Sequence, residues 1–164
     1  MKIEFFGAAK IVTGSNHLIT TDKYKILLDC GMFQGSKQLE ELNRAEFPYD
    51  PAQIDFVLLS HAHIDHCGRI PKLIKEGFKG KIITTKATKE LCEITLIDSG
   101  HIQEADAAWE NNKRKRAGKP LVEPLYTAED AMLSLKYFDS VLYDQLIHLN
   151  DDITVRFKDA GHIL

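Results

Sequence analysis

Apolar residues in the first thirty positions come in short runs cut by glycines. Residues 2–6, 16–21 and 25–29 each read as a strand, with Gly7, Gly14 and Gly31 marking the turns. Residues 36–45 form a polar segment with Leu39 and Leu42 three apart, as on a short surface helix. A further apolar strand follows at 56–59. Residues 70–77 read as a short helix, with Pro71 tolerated in its first turn and Gly77 at its end. Residues 81–85 read as another strand. This strand–helix–strand order predicts an α/β layered fold.

The pattern changes over residues 88–141, which are long, charged and helical in character. Leu91, Ile94, Leu96 and Ile97 supply an early apolar face. Ala131, Leu135, Phe138 and Leu142 step by four, three and four, which predicts one face of a later helix. Gly118-Lys119-Pro120 breaks the helices. Residues 145–149 and 153–157 flank Asn150-Asp151-Asp152 as a predicted hairpin. The expected plan is therefore strands over 1–87, a helical insertion over about 88–142 and C-terminal strands over 143–164.

Composition narrows the class. A chain of 164 residues fits one domain. With 44% hydrophobic and 27% charged residues it is ordinary for a globular protein. A net charge of -3 carries no global field for nucleic acid, although a local groove can still be basic. Neither a membrane-length apolar run nor a secretory signal is seen. Cys30, Cys67 and Cys92 are odd in number and far apart, so a reduced, cytoplasmic compartment is expected. Cys67 is expected to be a packed small residue.

The chemistry concentrates in His61-Ala62-His63-Ile64-Asp65-His66, directly after the strand at 56–59. Alternate residues of an extended segment point the same way, so His61 and His63 can face one metal ion. Asp65 and His66 follow the strand and can turn toward a second. Imidazole and carboxylate suit zinc and similar divalent ions. Two ions about 3.5–4 Å apart can share a bridging hydroxide and drive hydrolysis. The first ion needs a third protein ligand, and His162, expected at a strand end, is the leading candidate. Asp29 also ends a strand, where it is either a turn aspartate or a support that orients the histidines. His17, His101 and His148 lack ligand partners at useful spacing, apart from Asp98 and Glu104 flanking His101. The basic run Lys113-Arg114-Lys115-Arg116, with Lys119, is either a solvated helix face or an RNA contact. Trp109 nearby is expected to anchor the helix to the core rather than stack on a base.

These residues resemble a known family. His61-x-His63-x-Asp65-His66 resembles the signature of the metallo-β-lactamase fold. Several neighbouring pieces resemble its β-CASP branch of RNA-processing nucleases, which includes ribonuclease J. They are Phe5-Phe-Gly-Ala-Ala, Val12-Thr-Gly-Ser15, Leu28-Asp29-Cys-Gly31, Phe33-Gln-Gly35, His66-Cys-Gly-Arg-Ile-Pro71, Tyr126-Thr-Ala-Glu-Asp130 and Ala160-Gly-His162-Ile-Leu164. The resemblance implies an α/β fold, the N-terminal part of an αββα sandwich with a helical insertion between the second and third metal motifs. It implies that His61, His63 and His162 bind one zinc, that Asp65 and His66 bind the other, and that Asp29 supports them. It also implies that Asp65 helps position the attacking water.

Two zinc ions are expected at a complete site, with manganese as an alternative. The β-CASP domain and the rest of the sandwich are expected to lie downstream, leaving this chain with part of the site and little activity. The leading expectation is a zinc-dependent hydrolase of RNA phosphodiester bonds that uses a metal-bound hydroxide. Its partner would be RNA and not a membrane, with a homodimer left open. The alternatives are a thioester or lactam hydrolase of the same fold, or a non-catalytic RNA-binding scaffold. The long insertion argues against the first, and the intact ligand run against the second.

Overall fold

The computed structural model describes residues 1–163, so Leu164, the end of the last motif, lies outside the described residues. Six strands, β1 (Lys2–Phe5), β2 (His17–Thr20), β3 (Lys25–Leu28), β4 (Phe56–Leu58), β5 (Lys81–Thr85) and β6 (Phe138–Val141), form one sheet in that spatial order. A long loop over residues 6–16 links β1 to β2 and a short turn over 21–24 links β2 to β3, and these strands pair antiparallel. Helical crossovers link β3 to β6, and those pair parallel, as crossover connections require.

The pairing register explains the core. Leu18, Leu27, Val57, Ile82 and Phe138 are cross-strand partners in sequence, forming one buried row across five strands. Alternate strand residues take opposite faces, so this row defines the face on which the helices lie. The helices are α1 (Lys37–Glu41), α2 (Ile64–Cys67), α3 (Ile70–Lys75), α4 (Lys86–Arg116) and α5 (Ala128–Ser134). Leu73 of α3, Leu96 of α4 and Ala131 of α5 join the row in one apolar cluster.

Helix α4 is held at its start by Thr85, whose side chain accepts from the Thr88 amide. Its buried positions, Thr88, Cys92, Leu96, Ser99, Gly100 and Ala107, recur at helical spacing. Gly100 is where α4 meets the start of α5, and a Cβ there would strike the Ala128 backbone. Helix α5 opens with a capping box between Thr127 and Asp130. The hairpin at Asn150 is present, but its strands, β7 (Ile147–His148) and β8 (Thr154–Val155), are only two residues each.

Three expectations fail. The apolar series from Ala131 to Leu142 is not one helix: α5 stops at Ser134, a single 3₁₀ turn follows, and Phe138 to Val141 is the outer strand β6. Parallel pairing to β5 buries Phe138 in the sheet row, and this tertiary gain overrides a spacing that suits either structure. Trp109 does not anchor α4 to the core. It is 61% exposed, with the Lys113 ammonium 3.2 Å from its ring centroid. Finally, His162 does not end a strand, because β8 closes at Val155 and irregular chain carries it onward.

A candidate metal centre at the carboxyl ends of the parallel strands

Parallel strands β3 and β4 end side by side, with the Asp29 amide donating to the Leu58 carbonyl at 3.0 Å. The crevice beyond such carboxyl ends is where open α/β sheets bind their ligands. Asp29 takes a left-handed backbone conformation (φ 59°), uncommon for a residue other than glycine, and this turns the chain sharply out of β3. The next residues run against the ligand segment. Cys30 and Met32 amides donate to the His66 and Ile64 carbonyls at 2.8 and 3.0 Å, and the Ser15 amide donates to the Asp65 carbonyl at 2.8 Å. Gly31 packs so closely on this segment that a Cβ would run into the Asp65 carbonyl. Buried Arg69 locks the loop from behind, donating from Nε to the Gly31 carbonyl at 2.6 Å beneath the Phe33 and Phe47 rings.

This framework brings three imidazoles together. His61 Nε2 lies 3.0 Å from His63 Nδ1, and His162 Nε2 lies 3.2 Å from the same atom. All three nitrogens fall within 4.8 Å of one another. Three nitrogens about 2.0–2.1 Å from a tetrahedral zinc stand about 3.3 Å apart, so the donor set fits such an ion. The rings meet edge to face, with centroids 4.8 to 5.0 Å apart, so their lone pairs converge without the rings stacking.

His63 stands at the N-cap of α2 with an extended backbone, and the helix then rotates Asp65 and His66 to one side. His66 Nε2 lies 3.6 Å from Asp65 Oδ2, a separation that suits two donors to one ion better than a hydrogen bond. Among the described residues, the three histidines are the one such group of three. Asp65 and His66 therefore form a pair.

Asp29, buried, organises both clusters. Its Oδ1 accepts from the Ser60 amide at 2.8 Å. Its Oδ2 accepts from the Ser15 and Ser60 hydroxyls at 3.1 and 3.0 Å and from His66 Nδ1 at 2.7 Å. Burial pushes the His66 imidazole down, but the Asp29 hydrogen bond and charge, helped by Asp65, raise it above its ordinary value. His61 goes the other way. Burial, reinforced by His66 and His63, lowers it to about 4 and keeps its ring neutral, the form that binds metal.

The other residues singled out in the sequence lie apart. His101 is exposed and 3.5 Å from half-buried Glu104, and His148 sits on the short β7. Cys67 is fully buried in the core cluster, as expected of a packed small residue. Lys113, Lys115 and Arg116 are exposed on the last turns of α4. Arg114 is half-buried, with Nε on Glu110 at 3.0 Å and one terminal nitrogen on the Pro120 carbonyl at 3.1 Å. Sequence reasoning assigned no role to Ser15, Ser60 or Arg69. Ser15 and Arg69 lie within motifs of the family resemblance, and Ser60 is next to His61.

Residues 11–97, more than half of the chain, match the metallo-beta-lactamase superfamily. The chain belongs to that superfamily. Ribonuclease TTHA0252 of Thermus thermophilus is 40% identical over 163 residues, covering 99% of this chain and 33% of that protein. The probable RNase MJ4 of Methanocaldococcus jannaschii is 39% identical, covering 99% of this chain and 34% of that protein. Transcription termination factor FttA of the same organism is 28% identical over 100% of this chain and 24% of that protein. The chain thus spans between about a quarter and about a third of these relatives, whose names agree with the β-CASP resemblance. Among the described residues, no helix is long and apolar enough to cross a membrane.

Proposed function

We propose that the chain forms part of a metal-dependent nuclease of the β-CASP type that hydrolyses RNA phosphodiester bonds. The observation that carries this reading is the convergence of His61, His63 and His162 at ligand spacing beside Asp65 and His66. The ribonuclease names of its relatives support the choice of RNA. His61, His63 and His162 would hold one zinc, or manganese, and Asp65 and His66 would offer two donors to a second. Such ions supply Lewis acidity toward a phosphoryl oxygen and toward water.

The chain's own groups do the positioning. Asp65 orients the attacking water by accepting its hydrogen bond. Asp29 fixes the His66 ring through Nδ1 and leaves Nε2 to face Asp65. The neutral ring of His61 offers its lone pair without first losing a proton.

RNA contacts are placed at the far end of α4. Trp109, Lys113 and Arg116 follow i, i+4, i+7 spacing and share one exposed stripe, while Lys115 is exposed on a different face of the helix. The stripe pairs cations for phosphates with an aromatic face for bases. Arg114, tied to Glu110 and Pro120, instead stabilises the end of the helix. A cytoplasmic location is part of the reading, supported by three free buried cysteines.

The test is an assay of the zinc- or manganese-loaded gene product on 5′-phosphorylated and 5′-triphosphorylated RNA, with thioester and lactam controls. RNA turnover abolished by His63→Ala is the expected result. Turnover confined to the thioester or lactam would overturn the reading.

A further inference from the structure

Ser60 is exposed, yet its hydroxyl sits at the junction of both histidine clusters. Its Oγ lies 3.0 Å from Asp29 Oδ2, 2.9 Å from His61 Nδ1 and 3.4 Å from His66 Nδ1. A serine hydroxyl has one proton to donate and two lone pairs to accept with. An ionised carboxylate only accepts, and charge-assisted bonds are the stronger ones, so the Ser60 proton goes to Asp29. The bond at 2.9 Å then requires that His61 donate its Nδ1 proton to Ser60. A neutral imidazole carries one proton, so His61 Nε2 is left with the lone pair. Nε2 is the atom that lies 3.0 Å from His63 Nδ1 within the three-nitrogen group.

His66 needs no intermediary, because its Nδ1 reaches Asp29 directly at 2.7 Å. One buried carboxylate therefore orders both clusters, one ring by direct contact and the other through Ser60. The backbone reinforces the arrangement, since the Ser60 amide is itself held by Asp29 Oδ1 at 2.8 Å.

We propose that Ser60 is a positioning residue that passes the polarity of Asp29 to His61, fixing the imidazole tautomer that presents Nε2 for metal binding. The inference rests on the metal-centre reading above and goes beyond it by assigning Ser60 a role separable from folding. Ser60→Ala removes the hydroxyl but keeps the amide bond to Asp29, so the loop retains its anchor. Ser60→Thr keeps the hydroxyl.

The experiment compares the metal-free chain, Ser60→Ala and Ser60→Thr by nitrogen-15 NMR of the histidine rings. Zinc affinity is then measured by competition with a chelating dye. In the wild-type chain and in Ser60→Thr, His61 is expected to carry its proton on Nδ1. In Ser60→Ala, the His61 signals are expected to shift toward a mixture of tautomers while His66 keeps its pattern. Zinc affinity should fall roughly 10- to 100-fold in Ser60→Ala, the usual range for a lost outer partner of a ligand, and recover in Ser60→Thr. A wild-type His61 protonated on Nε2, or a Ser60→Ala chain with unchanged His61 signals, would overturn the proposal. A uniform change in every histidine would mean that Ser60 only holds the fold, and that result also overturns it. Wild-type chain that binds no zinc while His61 shows the expected tautomer would instead overturn the metal-centre reading.

Discussion

Replacing Asp29 by asparagine removes a charge and one acceptor oxygen while leaving the shape of the side chain almost unchanged. The carboxylate accepts four hydrogen bonds, two from Ser60 and one each from Ser15 and His66. An amide keeps one acceptor oxygen and turns the other position into a donor. Whichever way it is flipped, the amide nitrogen faces groups that also donate. Hydrogen bonds to a charged group contribute about 1.5–3 kcal/mol each, and a buried donor left unsatisfied costs about 1–3 kcal/mol.

Some donors would turn to solvent, because Ser60 is exposed and His66 half-buried. The net loss expected is therefore about 3 kcal/mol, equivalent to a fall of about 6–12 °C in Tm for a chain of this size. The sign of the pH dependence follows from His66. Its folded-state pKa is raised by Asp29, so its stabilising contribution is full below the unfolded value of 6.5 and fades as pH rises through the folded value. Thermal melts of metal-free protein should therefore show a larger gap between wild type and Asp29→Asn near pH 6 than above pH 8. Equal Tm values at both pH values, with unchanged zinc affinity, would refute the claim that Asp29 organises the site.

Other consequences follow from the same structure. Leu27→Ala, at a fully buried point of the sheet row, should cost about 2–5 kcal/mol in denaturant unfolding without removing any site residue. At Asp130, burial pushes the pKa up, but the Thr127 amide and Lys75 outweigh it, so the folded-state value lies below the ordinary 3.8. Its stabilising effect should be present near neutral pH and lost as pH falls through that value, so melts of Asp130→Asn and wild type should converge at low pH. The double variant Lys113→Glu, Arg116→Glu should weaken RNA binding and flatten its salt dependence in a fluorescence titration, with zinc affinity unchanged.

The sequence carried much of this plan, for definable reasons. Strands β1 to β5 were visible because short apolar runs ended at glycines or polar turns. Phe138 was misread because steps of three and four residues suit a helix face, while strand pairing depends on β5, more than fifty residues away. Trp109 was misread because a lone aromatic in a helix does not reveal whether its face is covered, and Lys113 on its ring shows that solvent is not excluded.

At the site, the dense run from His61 to His66 was unmistakable, and the family resemblance pointed to His162 and Asp29. Ser15 and Arg69 fell inside motifs of that resemblance, but nothing local to them revealed what they contact. Their importance arises only when separate segments fold together, Ser15 beneath Asp65 and Arg69 behind Gly31. No local pattern of residues encodes such a meeting.

The central claim is that three histidines from two distant segments form one metal centre. Elemental analysis of the zinc-loaded chain after exhaustive dialysis tests it most directly. One tightly held zinc per chain, lost in His63→Ala and in His162→Ala, is the predicted result. No zinc held by the wild-type chain, or zinc retained after either substitution, would contradict it.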